Sequence, residues 1–224
     1  MYVGRVMHRE LVTVPPDTSL VKARDLIAEK RIAHLLVVDK KGKLIGIVSD
    51  RDLKQSWASP ATTLSAHELN YLLKQLTVDM IMAKKIMTIS PDTTIERAAR
   101  IMQENRISAL PVIRDEKLVG IITTTDVMEV LLEAIGIDGQ SVRFTVLVQD
   151  RIGIVAEVSR ILKEQKVNIR SLVTFPEKEH PGIYHLTMRV GAAHGEKAIS
   201  ALTEAGFKVL RKYVEDLGPY LPEP

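Results

Sequence analysis

Cysteine is absent from all 224 residues, which excludes disulfides and thiolate nucleophiles and is compatible with a reducing compartment. Aromatic residues make up only 4% of the chain, too few for the stacking platforms that grip single-stranded nucleic acid. Neither sign of charge dominates. The 31 Lys and Arg against 28 Asp and Glu leave a net +3, and the cations are interleaved with acids instead of forming a stripe. Nucleic acid is therefore not an expected partner. No apolar run approaches the ~18 residues that a membrane-spanning helix needs. The leading MYVGRVMHRE also lacks the apolar core of a secretory signal, so the expected location is the cytoplasm, with no membrane partner. Phosphate-binding Gly-rich loops and nucleophile elbows are missing too. His67-Glu68 has no second histidine four positions on, and the six histidines do not gather at metal-ligand spacing. Neither a metal site nor a catalytic set is expected.

What the chain does contain is a repeat. Met7 to Asp17 reads MHRELVTVPPD and Met82 to Asp92 reads MAKKIMTISPD, and Asp92 minus Asp17 gives an offset of 75. The register slips by one after Leu35 and Leu110 because Gly42 has no counterpart, and GIVSDRD (Gly46 to Asp52) then lies over GIITTTD (Gly120 to Asp126). Each copy reads as strand, helix, strand, strand, helix. Val12 to Val14 is a short extended piece ended by Pro15 and Pro16. Thr18 or Ser19 can cap a helix from about Leu20 to Lys30, with Leu20, Ala23 and Ile27 on one face; Ile95, Ala98 and Met102 take the same places in the second copy. His34 to Val38 and Leu44 to Val48 form a hairpin across DKKGK, and Ala109 to Ile113 and Leu118 to Ile122 form another across RDEK. Between the copies, Ser59 and Pro60 break a helix, and Ser65 with Glu68 suggests a capping box for a bridging helix through Leu76. Trp57 reads as a packing anchor and Asp92 as a turn and cap residue.

The matching polar residues fall where a helix begins. Ser49 is placed to cap the helix after its strand, so its hydroxyl and the free N–H groups of the first turn face a common point. Phosphate suits such a point. Asp52 would repel phosphate but can accept hydrogen bonds from a ribose diol, and Arg51 can supply charge to a phosphate. Thr123 and Asp126 repeat the cap and carboxylate, while Thr125 replaces Arg51. The pocket holding Arg51 should therefore favour more phosphate charge. The same pattern is also a capping box that stabilises a helix start by about 1 kcal/mol with no ligand at all.

After Gly136-Ile137-Asp138-Gly139 the composition changes. VRFTVLVQ, a helix from about Ile152 to Gln165, VNIRSLVTF, IYHLTMRV, a helix near Glu196 to Glu204 and FKVLRKYV follow in the order βαββαβ. That order is the ferredoxin-like pattern, an antiparallel sheet with two helices on one face. A sheet bare on its other face predicts self-association. At its first strand-to-helix turn, Asp150, Arg151 and Gly153 offer a carboxylate, a cation and close backbone approach. Alternatively, Asp150 simply caps the helix and Gly153 relieves crowding against the sheet.

The repeats resemble a tandem pair of CBS domains, the Bateman module, whose GhhTxxD signature binds adenosine nucleotides. The resemblance covers about Met1 to Ile135 and implies that Ser49 with Asp52, and Thr123 with Asp126, carry phosphate and ribose. It also implies that the strands near Val12, His34, Met87 and Ala109 clamp the adenine. Leu36 stands where the second copy has Pro111, and Ser49 replaces the commoner Thr. The region from about Val142 to Asp216 resembles an ACT domain, a small-molecule sensor, on the strength of Asp150-Arg151-Ile152-Gly153 and Val167-Asn168-Ile169. Asp150, Arg151, Gly153 and Asn168 are then its ligand candidates. The combined order, with the bridge SPATTLSAHELNYLL, is similar to the AcuB-like acetoin-utilisation proteins.

The expectation is thus an α+β chain: a first repeat with its bridge over 1–78, a second over 79–136, a ferredoxin-like domain over 140–216 and a tail over 217–224. Its expected function is non-catalytic sensing of an adenine nucleotide (AMP, ADP, ATP, NAD or S-adenosylmethionine). An amino acid or small acid would bind the C-terminal domain, and a homodimer would act on a regulated protein. The alternatives are a dimerising scaffold with empty clefts and an enzyme of unrecognised activity.

Overall fold

In both repeats the buried residues fall at helical and strand periods that point to one side, and this builds two small α+β layers. A computed structural model describes residues 1–56, 75–137 and 139–222. The chain divides into two compact units, 1–127 and 128–224. After a short helix α1 (Val3–Val6), the first repeat forms β1 (Thr13–Val14), α2 (Leu20–Lys30), β2 (His34–Val38), β3 (Leu44–Ser49) and α3 (Asp50–Gln55). The second forms α4 (Ile95–Asn105), β4 (Ala109–Arg114), β5 (Lys117–Thr123) and α5 (Thr124–Ile135). Ser19 accepts from the Lys22 N–H to cap α2, and Thr94 does the same for α4 with Arg97. Asp92 is not the cap: its N–H bonds Ser90 in the preceding turn, two residues before Thr94. Both helices end on an arginine in the left-handed region, Arg31 (φ 52°) and Arg106 (φ 54°).

Leu20, Ala23 and Ile27 are buried with Leu35, Val37 and Val48, and Ile95, Ala98 and Met102 are buried in the second copy. Each such side chain contributes about 1.5–3 kcal/mol by leaving water. The hairpin at DKKGK closes on Asp39, whose carboxylate accepts from the Lys41 and Lys43 N–H groups, while Asp115 and Glu116 make the other turn with positive φ. The bridge residues Ser59, Pro60, Ser65 and Glu68, with Trp57 and His67, lie outside the described residues.

The two repeats are tied by exchanged leading segments. His8 pairs with Ile121 of β5, and Ala83 pairs with Ile47 of β3. Met7 and Met82 precede these residues and lie against Gly120 and Gly46, where an added Cβ would sit 2.4 and 2.1 Å from the methionine sulfurs. The glycine that opens each GIVSDRD-like stretch is therefore a seat for the other copy's methionine.

In the second unit, β6 (Ser141–Gln149), β7 (Ile169–Pro176), β8 (Ile183–Gly191) and β9 (Val209–Leu210) form one antiparallel sheet in the order β7-β8-β6-β9. α6 (Ile154–Glu164) and α7 (Gly195–Glu204) pack with Phe144, Val146, Leu186, Met188 and Leu202 into its core. The last strand is shorter than FKVLRKYV suggests. Only Thr145 and Val146 of β6 offer it ladder partners, and Arg211 bonds Glu196 of α7 instead.

Candidate functional site

The strand β3 delivers Ser49 to the start of α3, and the helix begins there because a reciprocal capping box closes it. The Ser49 N–H and hydroxyl donate to Asp52 Oδ2 at 2.7 and 2.6 Å, and the Asp52 N–H donates back to Ser49 Oγ at 3.2 Å. The Asp50 N–H is anchored on the Ala33 carbonyl at 2.9 Å. The second copy is built alike. Thr123 N–H and hydroxyl donate to Asp126 Oδ2 at 2.7 and 2.9 Å, and Thr124 N–H is held by the Ser108 carbonyl at 3.0 Å.

The surroundings of the two corners differ. Ser49, Arg51 and Asp52 line a cleft of about 730 Å³ between the repeats, together with His34, Met87, Ser108, Ala109 and Pro111. That volume suits a small-molecule ligand. Four cationic side chains (Arg51, Lys54, Lys85 and Arg106) line it against two carboxylates (Asp50 and Asp52). Lys54 is engaged with Asp50 at 2.5 Å. Asp52 Oδ1 has no hydrogen-bond partner among the described residues, and Asp52 lines the cleft. At the other corner Asp126 Oδ1 is already bonded to His8 Nε2 at 2.8 Å, and Thr125 stands exposed in the first turn of α5.

His34 bridges the repeats through Nε2 to Ser108 Oγ at 2.9 Å, while its Nδ1 is buried without a partner among the described residues. Burial pushes the imidazole pKa below its ordinary value, and the nearby Asp52 charge opposes this. A neutral ring is the consistent state, because an orphaned Nδ1 costs less without a proton to place.

His34, Met87 and Ala109 thus share the cleft with Ser49, Arg51 and Asp52. Val12 is not among the residues that line this cleft. Its carbonyl accepts from Leu36 and its side chain packs on the first-repeat core, as the parallel pairing of β1 with β2 requires. Lys85, Arg106 and Ser108 in the cleft, and His8 at the second corner, were missed in the sequence. Their signal was available in part, since the repeat register sets Lys85 opposite Glu10 and His8 opposite Ala83.

In the second unit Asp150, Arg151 and Gly153 line a cleft of about 600 Å³ with Gln149, Ile154, Thr174 and Tyr184. Asp150 does not cap α6. Gly153 holds the N-cap position at φ 86° with no side-chain cap bond, so α6 starts at Ile154 and Ile152 is left fully exposed. Beyond its chain neighbours, no atom of the described residues lies within 4 Å of a Cβ placed on Gly153, so the backbone angle, and not crowding, calls for glycine there. Arg151 bonds Glu157 of α6. Asn168 is exposed just before β7 and does not line this cleft. Among the described residues no group of acids and histidines forms a metal cluster, and no helix is long and apolar enough to cross a membrane.

Comparison with known proteins matches the CBS domain over residues 3–58 and 78–133, and the ACT domain over residues 142–207. A CBS-domain containing protein of Agrobacterium tumefaciens is 26% identical, over 58% of this chain and 99% of that one, with a TM-score of 0.51. A putative acetoin utilization protein (AcuB) from Vibrio cholerae is 29% identical over 59% of this chain and 91% of that one, with a TM-score of 0.49. Homoserine O-acetyltransferase of Methanohalobium evestigatum is 33% identical over 59% of this chain, and the match spans only 24% of that enzyme's length. On its two tandem matches this chain belongs to the CBS-domain family, with an ACT domain following the pair.

Proposed function

We propose that this chain is a non-catalytic regulatory protein whose CBS pair binds an adenosine phosphate in the cleft beside Asp52. The observation that carries the reading is a carboxylate with one oxygen unbonded among the described residues, set in a cationic cleft that both repeats line. Asp52 Oδ1 suits a ribose diol, while Arg51, Lys85 and Arg106 suit phosphate oxygens. His34, Met87, Ala109 and Pro111 supply the apolar walls that a purine needs. A ligand touching both repeats favours one arrangement of the pair over another, which is what a regulatory readout requires.

The ACT domain adds a second cleft, and Asp150 with Arg151 suits a zwitterionic amino acid or small acid. Val173 and Phe175 remain about 40% exposed on β7, which supports pairing of two chains through this unit.

Thermal melting in the presence of AMP, ADP, ATP, NAD or S-adenosylmethionine tests the reading. A rise in Tm with at least one of them, absent in Asp52→Ala, is expected. No rise with any of the five contradicts it and leaves a dimerising scaffold as the better description.

A further inference from the structure

We propose that His8 is a built-in occupant of the second corner and limits each chain to one adenosine ligand; this rests on reading the Asp52 corner as an adenosine site. The two corners share a backbone. His8 pairs with Ile121 as Ala83 pairs with Ile47, and Thr123 and Asp126 repeat the bonds of Ser49 and Asp52. One side chain separates them at the carboxylate.

Across from Asp52, Ala83 brings only a methyl group, both residues line the cleft, and Oδ1 takes no hydrogen bond among the described residues. Across from Asp126, the His8 imidazole takes Oδ1 at 2.8 Å while Thr123 takes Oδ2. Both oxygens of that carboxylate are engaged, and the imidazole fills the place from which a ribose diol would donate. The Asp126 side chain is only 13% exposed, whereas the His8 side chain is 63% exposed. The carboxylate is thus fixed, and its occupant is held from the solvent side where a substitution does little to the core. Charge reinforces the difference, since Glu10 and Thr125 stand in the repeat register of Lys85 and Arg51.

Equilibrium dialysis of the full chain with labelled adenosine, which carries no phosphate for Glu10 to repel, tests this. The unaltered chain is expected to saturate at one equivalent, His8→Ala and His8→Ser at two, and His8→Ala with Asp126→Ala again at one. Ala83→His is expected to lose the first equivalent. Two equivalents on the unaltered chain, or one on both His8 variants, overturns the proposal while leaving the Asp52 site standing. No binding of adenosine or AMP to any of these proteins removes the adenosine reading and the proposal together.

Discussion

The two repeats agree in their packing and disagree in their polar chemistry. Leu20 and Ile95, Ala23 and Ala98, and Ile27 and Met102 bury the same helix face, and Gly46 and Gly120 each seat a methionine of the other copy. At the corners, one carboxylate oxygen in a cationic cleft takes no hydrogen bond among the described residues, while its counterpart is bonded to a histidine. Duplication preserves what the core needs because a lost methylene is felt at once in a close-packed interior. The solvent side carries no such constraint, so function there can become one-sided.

Substitutions made in matched pairs separate shared from unshared features. The largest effect belongs to the core: Leu20→Ala and Ile95→Ala are each expected to cost about 2–5 kcal/mol in denaturant unfolding, by similar amounts. A several-fold disparity would show that the repeats do not share their packing. Next, Asp52→Ala is expected to weaken AMP binding roughly 10–100-fold, as removal of a charged hydrogen-bond acceptor does. Asp126→Ala is expected to leave it within about twofold, by titration calorimetry. Equal losses would break the asymmetry.

Gly46→Ala and Gly120→Ala are expected to cost about 1–3 kcal/mol each. The three atoms nearest a Cβ on Gly46 all belong to the Met82 side chain, whereas those nearest one on Gly120 include the His8 carbonyl at 3.1 Å. Met82→Ala should therefore rescue Gly46→Ala more fully than Met7→Ala rescues Gly120→Ala.

The smallest effect is that of pH. Burial holds the folded His34 pKa below its ordinary value of 6.5, so the unfolded chain takes up this proton first as pH falls. Stability from this group is present above pH 6.5 and declines as pH falls through 6.5 and then through the lowered folded value. His34→Gln should flatten the fall of Tm from about pH 7 to about pH 5, an effect with no counterpart at Ala109. An unchanged slope would contradict it.

Much of this was legible in the sequence because it was local and written twice. The limits of α2, the two hairpins and both Ser/Thr–Asp corners follow from i, i+3, i+7 spacing, alternation and capping patterns. What escaped depends on distant partners. His8 meets Asp126 across 118 residues, and nothing near His8 announces it. Val12 was placed at the adenine by resemblance, and it is absent from the lining of the cleft at Asp52. The alternative reading of Asp150 as a cap rests on an acid standing before a helix, while the left-handed turn at Gly153 puts the helix start four residues past it, at Ile154. The arginines Arg31 and Arg106 end their helices in a conformation that favours glycine, so composition offered no sign of them.

The most direct test of the asymmetry is a crystal structure of the full chain grown with AMP. The account predicts ribose hydroxyls on Asp52 Oδ1, phosphate among Arg51, Lys85 and Arg106, and the His8–Asp126 pair intact. AMP seated on Asp126 with His8 displaced, and the Asp52 cleft without it, would contradict the account.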